Sequence, residues 1–166
     1  MKFLKVTLAA AAMSVFAMTA QAQDSNAYIN LGLQTFEFNT YNIVGRAGYK
    51  VSPNFGVEVE GSVGISSDDI DDDAELSTPF SVGAYIVTSY PVSEKFELFG
   101  RVGYANVNVE VEEFGESDDS NFDGFSTGGG IQYNFSEKNG LRFDYTTLLA
   151  GGGSADILDL TFVRKF

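Results

Sequence analysis

Histidine, cysteine and tryptophan are absent from the 166 residues, and proline occurs only three times. Without histidine or cysteine the chain cannot build Ser-His-Asp or Cys-His nucleophilic systems, the usual zinc sites or disulfide bonds. Basic residues are also few, 10 against 23 acidic ones, for a formal net charge of −13. A surface of this sign repels phosphate groups, which argues against a nucleic-acid partner.

The only long apolar run lies near the N-terminus. The basic stretch MKFLK leads into VTLAAAAMSVFAM and then into TAQA. Ala20 and Ala22 occupy the small-residue positions that signal peptidase reads, which predicts a cleaved signal peptide at residues 1–22 and a mature domain at residues 23–166. A retained membrane helix is the alternative, but the run is shorter than the roughly 18 residues that one needs. Removal of the two lysines leaves 8 basic against 23 acidic residues, a mature charge of −15.

The mature sequence alternates between apolar and polar residues with a period of two, as β-strands with two different faces do. In FGVEVEGSVGI, residues 55–65, the valines fall on one parity and Glu58 and Glu60 on the other. Each predicted strand is close to the 9–11 residues with which a tilted strand crosses a bilayer. The eight predicted strands are residues 27–36, 42–51, 55–65, 79–90, 96–110, 125–135, 141–148 and 156–166.

The connections between these strands are of two kinds. Tight turns, SPN, PVSEK and SEKNG, follow the second, fourth and sixth strands, whereas SSDDIDDDAELST and EEFGESDDSNFD follow the third and fifth. The two long segments hold twelve acidic residues and no basic one. Alternate connections of an up-and-down barrel lie at the same end, so one rim is short and the other carries long acidic loops. Outer-membrane barrels have this arrangement, with short periplasmic turns and longer extracellular loops.

Seven charged residues fall on the polar parity of their strands, and aromatic residues collect beside the tight turns. A membrane barrel turns apolar side chains toward lipid and polar ones toward its interior, where opposite charges can pair. The predicted interior ion network comprises Arg46, Glu58, Glu60, Arg101, Arg142, Asp144 and Asp159. The predicted interfacial girdle comprises Tyr49, Phe55, Tyr90, Phe96, Tyr133, Phe135 and Phe166. The pattern predicts an all-β fold, an eight-stranded antiparallel up-and-down transmembrane barrel whose interior side chains fill.

One stretch, YANVNVEV at residues 104–111, departs from the alternation, because its valines take the parity opposite to that of Tyr104. Such a switch indicates either a bulge near Ala105 or a strand that rises above the membrane rim.

One acidic segment has partial metal-ligand spacing. DSNFDG matches the start of a calcium loop, but the twelfth position, where a bidentate glutamate is required, is Gly130. An EF-hand is therefore not predicted. Asp119, Asn121 and Asp123 are retained as a hypothetical loose site for a divalent cation, which could bridge to anionic lipopolysaccharide, and no other cofactor is expected.

Three segments, GRAGYKVSPNFGVEVEGSVG, PVSEKFELFGRVGYA and GGGIQYNFSEKNGLRFDYT, resemble the small outer-membrane β-barrel family. This family includes the OmpA transmembrane domain, OmpX-type barrels and many porin-family proteins, and the resemblance covers essentially the whole mature chain. It implies that the final strand, ILDLTFVRKF, carries the signal for the barrel-assembly machinery. The residues of this signal are Leu158, Leu160, Phe162 and Phe166. Arg164 departs from the hydrophobic residue that is usual two positions before the end.

The pattern and the resemblance together imply a structural or cell-surface interaction protein of the bacterial outer membrane, in contact with lipid and lipopolysaccharide. A narrow diffusion channel for small solutes is the first alternative, and a soluble periplasmic ligand-binding barrel is the second. An enzyme is not expected. Glu58 and Glu60 share a face and could act as acid and base, but pairing with the interior arginines explains them better.

Overall fold

The computed structural model describes residues 26–37, 40–65, 67–71, 74–113 and 116–166. The predicted signal peptide lies outside the described residues. The part of the chain that the structure describes has no helix long and apolar enough to cross a membrane. Its strands are β1 (Ala27–Phe36), β2 (Thr40–Ser52), β3 (Phe55–Gly64), β4 (Ser67–Asp71), β5 (Ala74–Pro91), β6 (Phe96–Glu113), β7 (Glu116–Asn134), β8 (Asn139–Ala150) and β9 (Gly153–Lys165).

The strands form one closed antiparallel barrel. Sequential neighbours pair along the chain, and β1 pairs with β9 from Tyr28 opposite Lys165 to Phe36 opposite Ile157, which closes the sheet. The short β4 continues the line of β3, because both pair with β5. Because β3 and β4 occupy one position in the wall, the barrel is eight strands around, as the sequence predicts. We call each of these eight strand positions a stave. Closure removes the free sheet edges of the barrel wall, so the strand backbone groups of the wall can be paired without water.

The observed strands are longer than predicted at one end of the barrel. β5 begins at Ala74 rather than at residue 79, and β7 begins at Glu116 rather than at residue 125. The β6–β7 register runs without a break to Glu113 opposite Glu116, so most of the predicted loop is a hairpin. We call residues 67–77 and 110–119 the acidic hairpins, their end of the barrel the hairpin end, and the opposite end the turn end. Main-chain pairing needs no apolar face, which is why strand alternation did not reveal them.

The predicted bulge near Ala105 is wrong. β6 pairs with both neighbours through Ala105 without a shift, and the irregularity lies between Ser77 and Phe80 on β5. Val107 is 4% exposed and faces the interior, in step with the inward-facing residues before it. The apparent change of parity arises because the interior itself becomes apolar at the hairpin end.

The three tight turns at the turn end are stabilised by the same type of serine-to-backbone hydrogen bond. The side-chain oxygens of Ser52, Ser93 and Ser136 each accept a hydrogen bond from the backbone N–H three residues later, at 3.2, 3.1 and 3.0 Å. Serine is favoured in turns because its hydroxyl can replace a backbone partner in this way. These turns match SPN, PVSEK and SEKNG, the connections that the sequence analysis assigns to one rim.

The barrel is polar inside and apolar outside. Val57 and Val59 are 47% and 54% exposed, whereas Glu58 between them is 2% exposed. Large apolar side chains stand on the outer surface of every stave, and polar ones fill the centre. A soluble barrel has the reverse arrangement, so the outer surface of this one requires a hydrocarbon environment.

Glycines allow the staves to come close around this filled centre. A Cβ atom on Gly32 would stand 2.0 Å from the carbonyl oxygen of Leu160, and one on Gly130 would stand 1.9 Å from that of Phe143. Real Cβ atoms do not approach backbone at such distances, so only glycine fits these inward positions.

Candidate functional site

The structure brings the seven residues of the predicted ion network together in the middle of the lumen. Their side chains all point inward, and all seven are buried. They come from five strands: Arg46 on β2, Glu58 and Glu60 on β3, Arg101 on β6, Arg142 and Asp144 on β8, and Asp159 on β9. Because inward positions recur at every second residue, each pair on one strand is separated by a single outward residue.

Arg46 is the centre of the ion network and is completely buried. Its Nε lies 2.5 Å from Oε2 of Glu60, its Nη1 2.9 Å from Oδ2 of Asp144, and its Nη2 2.6 Å from Oδ2 of Asp159. The guanidinium group thus donates in three directions to carboxylates on three different strands. Its planar, fixed fork of donors suits it to this position better than the ammonium group of lysine.

The other two arginines connect the remaining carboxylates. Nη2 of Arg101 lies 2.7 Å from Oε2 of Glu60. Nη1 of Arg142 lies 2.5 Å from Oε1 of Glu58, and its Nη2 lies 3.0 Å from Oδ1 of Asp144. Every one of the four carboxylates therefore has at least one guanidinium partner. Such pairing offsets the desolvation of groups that would be costly to bury alone.

Three aromatic residues that the sequence analysis did not select complete the ion network. The guanidinium carbon of Arg101 lies 3.5 Å from the ring centre of Tyr85, and that of Arg142 lies 3.7 Å from the ring centre of Phe99. The Tyr28 hydroxyl donates to Oε1 of Glu58 at 2.7 Å. Cation–π contact stabilises a desolvated guanidinium group. All three lie on the polar parity of their strands, and this parity was the signal in the sequence that could have identified them.

Above the ion network, toward the hairpin end, apolar side chains close the lumen. Five buried residues form this apolar plug: Phe36, Ala105, Val107, Leu148 and Ile157. They lie near the hairpin ends of β1, β6, β8 and β9. Side chains thus occlude the lumen from its centre to its hairpin end.

Below the ion network, toward the turn end, the lumen widens into a cavity of about 310 Å³. Tyr28 and Arg142 form its inner boundary, and Lys50, Glu97 and Lys165 line its mouth. Nζ of Lys50 lies 3.0 Å from Oε1 of Glu97, and both side chains remain partly exposed. The cavity opens at the turn end and reaches the ion network at Arg142.

On the outer surface, aromatic side chains surround the turn end. Phe96 and Tyr133 lie with ring centres 5.0 Å apart, and Phe135 and Phe162 with ring centres 6.1 Å apart. Of the predicted girdle, Tyr49, Phe55, Tyr90, Phe96, Tyr133 and Phe135 are exposed, and Phe166 is partly buried. Aromatic rings at this level are typical of the boundary between hydrocarbon and water.

The C-terminal strand follows the same alternation. Leu160 and Phe162 are exposed on the outer surface, and Leu158 and Phe166 lie on the same parity with part of their surface covered. Arg164 is also exposed on this face, and its Nη1 donates to Oδ1 of Asn139 at 2.9 Å. This bond holds the guanidinium group beside the last turn, away from the middle of the outer surface.

The hypothetical calcium residues are only partly placed. The side chains of Asp119 and Asn121 lie outside the described part of the structure, and Asp123 is exposed and accepts a hydrogen bond from the Tyr104 hydroxyl. Within the described ranges, no three acidic side chains are grouped so that they could hold a metal ion. The calcium hypothesis therefore stays a prediction.

A closed eight-stave barrel with an apolar exterior and an ionised interior defines a membrane-spanning β-barrel. The family model described as "Outer membrane protein beta-barrel domain" matches residues 8–166, so the chain belongs to that family. This confirms the resemblance seen in the sequence and indicates the bacterial outer membrane as the location. A search of curated protein sequences found no significant relative.

Solved structures show the same fold at low sequence identity. The attachment invasion locus protein Ail of Yersinia pestis is 16% identical, with a TM-score of 0.65 over 87% of this chain and 100% of that chain. The N-terminal barrel of Pseudomonas aeruginosa OprF is 12% identical, with a TM-score of 0.67 over 87% and 100%. Neisserial surface protein A is 14% identical, with a TM-score of 0.55 over 84% and 94%. At these identities the likeness extends to the fold alone.

Proposed function

We propose that this protein is a structural and surface-interaction barrel of the outer membrane, and that its lumen carries no solute. The observation that supports this most strongly is the filled interior. The ion network occupies the middle of the lumen, and the apolar plug closes its hairpin end. With its interior occupied, the surfaces left for a function are the lipid-facing wall and the acidic hairpins.

The acidic hairpins are proposed to face the cell exterior and to meet cationic partners. The segments that form them hold twelve acidic residues and no basic one, so a polyanion would be repelled. Ail has been crystallised with the heparin analogue sucrose octasulfate, a polyanion. We infer that the present chain selects the opposite charge: basic protein segments, or divalent cations that bridge Asp119, Asn121 and Asp123 to lipopolysaccharide.

The lipid-facing wall supports two further parts of the proposal. Leu158, Leu160, Phe162 and Phe166 share the outward parity of the final strand, which fits recognition of that strand by the barrel-assembly machinery. Export is proposed to precede this step, with cleavage after Ala22. A non-enzymatic role is supported by Glu58 and Glu60, since each is held by an arginine and neither is free to exchange a proton with a substrate.

The orientation of the barrel can be tested with single cysteines, because the chain has none of its own. Ser67→Cys and Ser117→Cys place a thiol on each acidic hairpin, and Ser93→Cys and Ser136→Cys place one in a tight turn. On intact cells a membrane-impermeant maleimide should label the first pair and not the second. Permeabilised cells, in which all four should react, provide the control. Labelling of only the turn variants on intact cells would reverse the orientation.

The cavity at the turn end favours a narrow channel as the second candidate function, because it opens the lumen from that end as far as Arg142. A conducting path would still have to cross both the ion network and the apolar plug. We expect no steady conductance steps when the refolded mature protein is inserted into planar bilayers in 1 M KCl. Insertion is verified independently by protease protection in vesicles. Reproducible steps from the purified protein would favour the channel.

A further inference from the structure

One patch of the lumen wall carries polar groups that no described residue satisfies. Oδ1 of Asp159, the amide of Gln34, and the hydroxyls of Thr146 and Thr161 have no hydrogen-bond partner among the described residues. Each of the four residues is only 1% exposed. A buried polar group without a partner is unfavourable, so four such residues in one region of the lumen wall require an explanation.

The strand register collects these groups around Asp159. Gln34 on β1 is its direct cross-strand partner, and Thr161 is the next inward residue along β9. Thr146 on β8 pairs with Ile157, which places it diagonally beside Asp159 on the inner face. Cross-strand and diagonal neighbours on one face of a sheet are within side-chain reach. Asp159, Gln34 and Thr161 thus present oxygen atoms to the same part of the lumen. Thr146 lies on the other side of Asp159, at the level of Ile157 and about 13 Å along the strand from Thr161 at roughly 3.3 Å per residue.

The ion network has an excess of one negative charge. When all seven groups are ionised, three guanidinium groups stand against four carboxylates. Lys50 does not supply the missing charge, since it is paired with Glu97 at the cavity mouth. Lys165 lies six residues further along β9, about 20 Å away at roughly 3.3 Å per residue. An uncompensated charge in a buried site is strongly unfavourable.

We propose that the lumen binds one alkali cation, Na⁺ or K⁺, between Oδ1 of Asp159 and the side-chain oxygens of Gln34 and Thr161. The cation neutralises the excess charge and gives the unpartnered oxygens of Asp159, Gln34 and Thr161 a common partner. One carboxylate oxygen and neutral amide and hydroxyl oxygens are hard ligands that suit such ions. A divalent cation would reverse the sign of the charge imbalance, which makes it the poorer fit.

The proposal is tested by refolding the mature chain into detergent in NaCl, KCl or choline chloride of equal concentration. A cation that binds only the folded barrel raises its stability by mass action, so the unfolding midpoint should be several degrees higher in NaCl or KCl. Asp159→Asn removes the excess charge and should give the same midpoint in all three salts. Asp123→Asn, which removes an exposed carboxylate, should behave as wild type.

A second variant and a direct measurement cover the case in which Asp159→Asn does not fold. Gln34→Leu leaves the ion pairs intact and should weaken the salt preference. Crystals grown in rubidium chloride should show one anomalous peak beside Oδ1 of Asp159. Equal midpoints of the wild type in all three salts, or no peak there, would overturn the proposal and leave water or a bound proton to balance the site.

Discussion

Replacement of Arg46 by methionine is expected to lower the free energy of unfolding by about 3–5 kcal/mol or more. The side chain is completely buried and holds Glu60, Asp144 and Asp159 at 2.5–2.9 Å. Methionine has a similar length and cannot donate a hydrogen bond. The four carboxylates of the ion network would then remain in the lumen with only Arg101 and Arg142 to balance them, and removal of one partner from a buried pair is far costlier than removal of both.

The loss should be visible in urea unfolding of the refolded protein, followed by far-UV circular dichroism in detergent. Arg164→Met provides the matched control, because that arginine lies on the outer surface and bonds only to Asn139 among the contacts described above. Its effect should stay within about 1 kcal/mol. Arg46→Lys keeps the charge and loses the fork of donors, so it should be intermediate. Equal stability of the Arg46→Met and Arg164→Met variants would contradict a central role for the ion network.

Replacement of Val59 by arginine is expected to destabilise the membrane-inserted barrel by about 2–4 kcal/mol. Val59 is 54% exposed on the outer surface, halfway along β3 and between the small residues Ala47 and Ala84 of the adjacent strands. An arginine there would enter the middle of the hydrocarbon layer. Its guanidinium group could not reach the polar lumen, because the side chain at this position points outward.

Depth provides the control for this prediction. Val51 is 63% exposed on the same outer surface and lies beside the first tight turn. Val51→Arg should cost only about 0–1 kcal/mol, since an arginine near the interface reaches water. Val59→Leu should be close to neutral. The measurement is unfolding from phospholipid vesicles, and similar losses for both arginine variants would mean that the outer surface is not embedded in lipid at the expected depth.

The sequence predicts this fold well because the barrel obeys a period of two. A single misplaced charge on the lipid side is costly, so the alternation is kept on all eight staves, and the strand ends at the tight turns are marked by serine and proline. The acidic hairpins are polar in sequence and show no such alternation, so their strands could not be predicted from it. Their pairing depends on backbone groups, which all residues share.

The ion network was foreseeable only in part. Parity shows which charged residues face inward, but the partner of each depends on register and barrel shear. Arg46 and Glu60 are direct cross-strand partners, whereas Arg142 and Glu58 meet across the lumen from β8 and β3. The contacts of the Tyr85 and Phe99 rings with the arginines were not predicted, because the sequence analysis assigned aromatic residues to the lipid-facing surface. Counting the charges of the ion network, three positive and four negative, was possible from the sequence alone.

The seam between β1 and β9 determines when this protein can fold. Arg46 contacts Asp144 and Asp159, which lie 98 and 113 positions later in the chain. The second strand that pairs with β1 is β9, which is the last strand to be synthesised. Such distant contacts make folding slow, since most of the chain must be ordered before they form. A nascent chain that lacks β9 would expose the unpaired edges of β1 and β8 together with the apolar outer surface. We therefore expect assembly to begin only after synthesis and export of the complete chain, with the exported form kept unfolded until then.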